Sequence, residues 1–584
     1  MKIVSIIYKK AVLAVVLALG TLMSSCTDYL TIIPADKVVE ENFWITKDQV
    51  NGMLATSYLK LLSRDAVERA IIWGEMRSDN MTYHPTYNSE IKNIVEANIT
   101  DENSFSRWGI FYEAINYANL VLESADKAME HDPDFTPSDL KIVKGEMYAM
   151  RALCHFYLVR AFRDIPLALH SAKNDSEIPE YVQVPPLEAL DKIMEDLDRA
   201  ESMVMKSGTY STAAQNCGRI TRNAVLAIKA DVNLWRAAFA AYYDKADVDT
   251  YYNQCIENCD AVIASMDEIL GNEKYQNDVK TLIKPYNLIP NFVNKKDIDD
   301  ATKKLEQEAT APASAVYNAI FGSKNSLESI FELQVDGANI DNNSFNGAYS
   351  VYGSEGSTAY AIVPVGFVKG NYEKDDVRAY SYTDTKPQEY NDANVKEDNT
   401  YIVKYAAKGS PATAPATANF RKSNSWDANW ILYRRTDVLL MKAEAMVTRS
   451  TAGPDDFHEA FKIVKAINYR SRIDTSSVYS PLREEKYMTQ SAVIDLVRKE
   501  RLLELSYEGK RWFDLVRLAL REKDTKNILF VTKKLGSSLA GTVEKIMKKI
   551  DGLFMPIHIT ELRYNKNLKQ NPAYDEDDSS MEMN

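Results

Sequence analysis

RKERLLELSYEGKRWFDLVR, residues 498–517, sets charged side chains into an apolar helical pattern, and its reading decides the fold. The spacing predicts a helix over 490–508 on which Val493, Leu496, Leu503 and Tyr507 share one stripe, with Glu500 on it. A carboxylate on a buried stripe needs a cation and hydrogen-bond donors, because an isolated buried charge is far more costly than a paired one. Arg434, Arg435, Arg511 and Arg517 are the basic groups nearest in pattern, so Glu500, Glu504 and Glu508 are read as scaffold ion pairs.

Moving outward, the chain is helical in its first half and last quarter. Residues 146–163 (EMYAMRALCHFYLVRAFR) place Met147, Met150, Cys154, Tyr157 and Ala161 at alternating three and four spacing, with Leu153 and Phe156 on a second face. A helix of that kind is buried on more than one side. From Arg222, Val225, Ile228, Val232, Trp235 and Phe239 repeat the pattern, and Ala224, Ala227 and Ala230 allow close helix approach. Further helices are expected at about 47–62, 108–129, 137–164, 187–205, 249–265, 434–447, 455–471 and 490–508. Paired helices with short turns, alanines facing large apolar residues, describe stacked helical hairpins in a degenerate repeat, a scaffold that holds loops in place.

The middle, about 270–425, differs: low-complexity strings at 309–314 and 410–419, several glycines, and loops rich in Asn and Asp. Nine of the 34 tyrosines fall within 349–405, so this segment is the natural place to look for rings that stack on a ligand. The alternative use of those rings is to fasten irregular chain onto the helices. Cys154 lies in a very apolar helical stretch, and Cys255 and Cys259 sit four apart on a helix with no histidine close in sequence; with Cys217 they read as buried free thiols.

The N-terminus carries Lys2, Lys9 and Lys10, an apolar run from Ala11 to Leu22, and Met23-Ser24-Ser25-Cys26. Twelve apolar residues are too few for a membrane-spanning helix, and a cysteine after small residues is where a lipoprotein signal is cut and acylated. Cleavage before Cys26 removes three lysines and no acid, moving the formal charge from −13 to −16. So acidic a chain repels a phosphate backbone, and no nucleic acid is expected as a partner. The sequence has no HExxH, no GxSxG elbow and no phosphate-cradling glycine loop, which argues against an enzyme.

Glu500, Arg501, Glu504, Leu505, Glu508, Gly509, Arg511, Trp512, Asp514, Leu515 and Arg517 stand in one ungapped pattern. With NWILYRRTDVLLMKAEAM (429–446), ALCHFYLVRAFRDIPL (152–167) and the closing LFMPIHITELRYNKNLKQNPAY (553–574), it resembles the SusD/RagB family of Bacteroidetes outer-membrane lipoproteins. Arg163 and Ala573 depart from the resemblance, standing where the family often has glycine. The resemblance implies an all-α dominated fold, with four tetratricopeptide-like helix pairs and a loop-rich half. It further implies a signal peptide over 1–25 and one domain over 26–584, with scaffold at about 40–265 and 430–525, a ligand-binding insertion at about 270–425 and a closing segment at 550–584. The implied role is capture of a glycan at the cell surface and delivery to a SusC-like TonB-dependent transporter in the outer membrane. A peptide ligand of the RagB kind, or a lid without affinity of its own, are the alternatives. The implied anchor is lipid on Cys26; no catalytic residue, metal or cofactor is implied beyond the structural calcium some members hold.

The segment WGEMRSDNMTYHPTY (73–87) offers Arg77, Asp79, Asn80, Tyr83 and Tyr87, a mixture of hydrogen-bonding and stacking groups suited to a saccharide. Tyr349, Tyr352 and Tyr360 are further ligand candidates, whereas Trp108, one turn before Tyr112, reads as structural.

Overall fold

A computed structural model describes residues 43–575, apart from 86–87, 173–180, 292–314, 336–346, 354–358, 386–399, 406–420, 422–425 and 474–481. Cys26 and Tyr87 lie outside the described residues, as do the low-complexity strings.

The helices begin where their capping residues place them. Thr46 and Gln49 form a reciprocal capping box at the start of α1 (Lys47–Leu62). Ser63 caps the short α2 (Arg64–Ile71), which runs into a wide turn at Ile72–Met76. After α3 (Ser89–Val95) come α4 (Gly109–His131) and α5 (Pro137–Phe162). α5 has a Thr136–Asp139 capping box and a proline at its first position, where no amide hydrogen is needed. Then follow α6 (Pro186–Glu201), α7 (Arg222–Tyr242) and α8 (Val248–Leu270). The last quarter supplies α9 (Arg435–Thr448), α10 (Pro454–Arg470), α11 (Gln490–Leu505), α12 (Arg511–Glu522) and α13 (Ser537–Met547).

Packing follows chain order: α1 lies on α4, α4 on α5, α5 on α6, α6 on α7, α7 on α8, α8 on α9, and α9 and α10 on α11. The stacked helical hairpins expected from the spacing form, within the all-α dominated fold that the resemblance implies. α5 is buried from Gly145 to Phe162 apart from Tyr148, as a helix apolar on several faces must be. In α7 the alanines at 224, 227, 230, 237, 238 and 240 are all buried, which lets α6 and α8 approach from two sides. The four cysteines outside the N-terminal segment are free and buried.

The insertion between α8 and α9 is tied back at two places by antiparallel ribbons. β4 (Ser329–Leu333) pairs with β6 (Trp430–Arg434), which leads straight into α9. β5 (Ala361–Ile362) pairs with β1 (Thr82–Tyr83), the strand that follows the α2 turn. A third ribbon joins β2 (Ile165–Pro166) to β3 (Gln183–Val184).

α11 stops at Leu505, earlier than the spacing predicts, because Tyr507 and Gly509 take positive φ (67° and 71°) and turn the chain into α12. Gly509 meets this demand without strain. A Cβ on Gly74 would sit 1.9 Å from the Gly509 carbonyl oxygen, so the α2 turn reaches this bend only as glycine. Between them, the Glu75 carboxylate accepts from the backbone N–H of Tyr507 (2.7 Å) and Lys510 (2.8 Å) at the start of α12, where a helix favours negative charge. Arg163 caps α5 with φ 69°, a conformation that glycine would adopt without strain; its guanidinium pairs with Asp164 and Asp551.

Glu500, Glu504 and Glu508 are buried ion-pair members, as read from sequence, but most of their partners differ. Glu504 accepts from Arg434 (2.8 Å), Arg470 (2.6 Å) and Arg378 (3.1 Å). Glu508 accepts from Arg434 (2.7 Å) and Lys404 (2.7 Å), and Glu500 from Arg378 (2.7 Å) and Asn468 (3.0 Å). Only Arg434 of the four arginines proposed takes part. Arg435 holds Asp267 of α8, Arg511 holds Asp79, and Arg517 holds Glu444 and Asp514. Of the missing cations, Arg378 and Lys404 come from the insertion, whose distance along the chain hid them, and Arg470 comes from the end of α10.

Burial alone would raise the Glu508 carboxyl, but Arg434 and Lys404 outweigh it and hold it at about 2. Burial likewise opposes ionisation of Glu504, which Arg470, Arg434 and Arg378 hold well below the carboxylate range. Burial wins at Glu75 and Asp375, both pushed up to about 6. For the raised pair the folded chain binds more protons than the unfolded one, so stability rises as pH falls through 6. For the depressed pair the unfolded chain binds more, so stability is lost below about 4.5, on the order of 3 kcal/mol from Glu508 alone by pH 2. Melting temperature is therefore expected to rise from pH 7 to 5 and to fall below pH 4, with most of the loss between pH 3 and 2. Arg434→Met, which strips Glu504 and Glu508 of a shared cation, is expected to cost about 3–5 kcal/mol at pH 7. Calorimetry across this range checks both.

Candidate functional site

The β1–β5 ribbon gathers partly exposed aromatic and polar groups where the insertion crosses the N-terminal helices. Thr82 faces Ile362 and Tyr83 faces Ala361, and the His84 amide donates to the Tyr360 carbonyl (2.9 Å) to extend the pairing. The Tyr83 hydroxyl donates to Glu96 (3.0 Å), and Lys92 sits 5.9 Å over its ring. Partial burial and then the Glu96 carboxylate push that hydroxyl above its ordinary pKa, so it stays a neutral donor. Tyr360 accepts from Arg64 of α2 (2.9 Å), and the His84 ring stacks against Tyr401 at 6.3 Å. Four rings, Tyr83, His84, Tyr360 and Tyr401, thus keep part of their surface in water while their backbones are fixed by pairing. Such rings, with Arg64 and Glu96 beside them, offer both faces for C–H contact and hydrogen-bonding edges.

The other sequence candidates divide by burial. Arg77 is buried: its guanidinium donates to the carbonyls of Gly552 (2.5 Å) and Leu553 (3.0 Å) and lies 4.6 Å over Trp512. It anchors the closing segment. Asn80 is buried too, donating to Glu75 and accepting from Ser78. Tyr352 is buried, donates to the Tyr507 carbonyl (2.7 Å) and stacks on Tyr405. The expectation that these three reach a ligand is corrected, since each is enclosed and its polar atoms serve the scaffold. Tyr349 is half-buried, its ring edge-on to Trp426. Asp79 pairs with Arg511 (2.8 Å) and keeps some exposure. Trp108 is buried against Tyr112 and Phe162, as its spacing implied.

Two of the described tyrosines of 349–405 fasten the insertion to α11. The Tyr372 hydroxyl donates to the Leu503 carbonyl (3.2 Å) and the Tyr382 hydroxyl to the Glu504 carbonyl (3.1 Å). Sequence reasoning did not single out His84, Tyr401 or Arg64 as site residues; the alternation of Thr82, Tyr83 and His84 was the one local signal of a strand. Among the described residues, no group of three or more His, Cys, Asp or Glu side chains is placed to hold a metal ion. No described helix is long and apolar enough to cross a membrane.

A scaffold of helical hairpins carrying a loop-rich insertion, with an aromatic ribbon at their junction, defines an all-α class of helical-hairpin proteins. The family model described as SusD family matches residues 327–574, and one described as starch-binding associating with outer membrane matches 29–234. The chain belongs to the SusD/RagB family. A SusD-like protein, P38, of Formosa agariphila is 24% identical over 520 residues, covering 86% of this chain and 90% of the relative. A SusD superfamily crystal structure from Bacteroides thetaiotaomicron superposes with TM-score 0.63 at 17% identity, covering 90% of this chain and all of that one. Another from Parabacteroides distasonis gives 0.59 at 21%, covering 90% and 98%. These likenesses establish the fold.

Tyr352→Ala is expected to destabilise the protein by about 3–5 kcal/mol through the cavity it leaves, while Tyr83→Ala, at a partly exposed position, is expected to cost no more than about 1 kcal/mol. Urea denaturation of the two variants checks the division between scaffold and site.

Proposed function

We propose that this protein is a cell-surface lipoprotein that captures an oligo- or polysaccharide and hands it to a SusC-like TonB-dependent transporter in the outer membrane. Its family is one of nutrient-uptake proteins, and one of the matching family models is described as starch-binding. The observation that carries the reading is the β1–β5 ribbon, with Tyr83, His84, Tyr360 and Tyr401 partly in water beside Arg64 and Glu96. Sugar rings present apolar C–H faces and hydroxyl edges, and this mixture of ring faces and charged hydrogen-bonding groups matches both. The ribbon joins the scaffold to the insertion, so the rings are held by backbone pairing before a ligand arrives, which lowers the entropy lost on binding. No catalytic step is proposed: the role is binding and transfer.

Affinity electrophoresis of the chain following Cys26 against a panel of plant and host polysaccharides tests this. Retardation by at least one glycan, weakened in Tyr83→Ala while the melting temperature holds, is expected. No retardation by any glycan would overturn the glycan reading in favour of a peptide ligand. The proposed anchor is tested separately: Cys26→Ala is expected to move the protein from the membrane fraction to the soluble one.

A further inference from the structure

Away from the ribbon, a cleft of roughly 450 Å³ lies between α11, the start of α12, the 364–371 turn and the segment preceding α13. Arg498, Lys499, Arg511, Lys533 and Lys534 face it, against the two carboxylates Asp79 and Asp495. The local balance is thus positive in a chain whose formal charge is −13. Between the charges stand Val365, 77% exposed, with Phe367, Leu502 and Phe530, so the cleft has an apolar wall as well.

The groups are held in place. Arg511 is fixed by its fork on Asp79 (2.8 and 3.1 Å), and Lys499 donates to the Asn371 side chain (2.5 Å). Lys534 donates to the carbonyls of Met76 (3.1 Å) and Met81 (2.6 Å) and fastens the 76–81 loop to the cleft floor. Burial, and then the neighbouring Arg511 cation, push the Lys499 ammonium down to about 8; burial pushes Lys534 down to about 7. Cations crowded in this way gain most from an added anion.

We propose that this cleft binds an anionic sugar residue, one bearing a carboxylate or a sulfate ester, as a second subsite for the captured glycan. The inference rests on the glycan-binding reading above and names the class of glycan. An oxyanion finds Lys499, Lys533 and Arg498, the ring hydroxyls find Asp79 and Asp495 as acceptors, and the C–H face meets the apolar wall. Asp79 lies four residues before Tyr83, at most about 14 Å along the chain, so an oligosaccharide of a few rings spans cleft and ribbon.

The test is affinity electrophoresis of the chain following Cys26 in polygalacturonate, in a sulfated galactan and in neutral polysaccharides, with Lys499→Gln/Lys533→Gln, Arg498→Gln/Lys533→Gln and Tyr83→Ala variants. Arg498 and Lys533 are at least partly exposed, so the second double variant remains informative if the first fails to fold. The expected result is retardation by one acidic polymer, about tenfold weaker in the cleft variants and reduced by salt; the polymer that retards identifies carboxylate or sulfate. Because the chain is strongly acidic, non-specific electrostatics repel a polyanion, so retardation by an acidic polymer reports a specific site. Retardation by neutral polymers alone overturns the cleft and leaves the glycan reading standing. Acidic retardation lost in Tyr83→Ala but intact in both cleft variants also overturns the cleft. No retardation in any gel overturns both.

Discussion

Glu504 is the point on which the structure turns. It is fully enclosed on α11, and three guanidinium groups converge on it from Arg434 at the end of β6, Arg470 at the end of α10 and Arg378 in the insertion. An enclosed carboxylate is tolerable only while those partners are present, so the fold that brings them together is the fold that can exist. Lys404, donating to Glu508 and to the carbonyls of Glu504 and Ser506, adds a fourth cation from the insertion. Hydrophobic burial collapses the helices, but it is non-directional; the charge cluster fixes how the irregular half lies on them.

The same constraint places the site. With the insertion held on α11, β5 comes to β1 and Gly347 packs against the α2 backbone, where a Cβ would lie 2.5 Å from the Glu68 nitrogen. Tyr360 thereby reaches Arg64, and Tyr401 reaches His84. A surface assembled from segments some 300 residues apart is fixed by charges enclosed in the interior. On the other side of the 76–81 loop the basic cleft shares residues with that framework, since Arg511 belongs both to the signature stretch and to the cleft wall.

Much of the scaffold was legible in the sequence. The three and four spacing of Met147, Met150, Cys154 and Tyr157 placed α5, and the alanines of α7 placed a close-packed helix pair. The helix ends were read less well: α11 ends at Leu505 because two positive-φ residues follow, a backbone property that apolar spacing does not encode. Tyrosines were harder still. Tyr352 and Tyr360 stand in the same loop-rich stretch, yet one is enclosed against Tyr405 and the other half-open beside Arg64. Arg77 likewise looked like a ligand group and proved to be the anchor of the closing segment.

What the sequence by itself determined is the set of local periodicities, the caps, and the need of Glu500, Glu504 and Glu508 for cations. Those follow from neighbours within a few residues, because helical spacing and the cost of a buried charge are local statements. Only the tertiary structure decided which cations answer, and which aromatic rings remain in water. Both depend on contacts across a hundred residues or more, where the chain's path is set by the joint packing of all its elements and no single stretch carries the information.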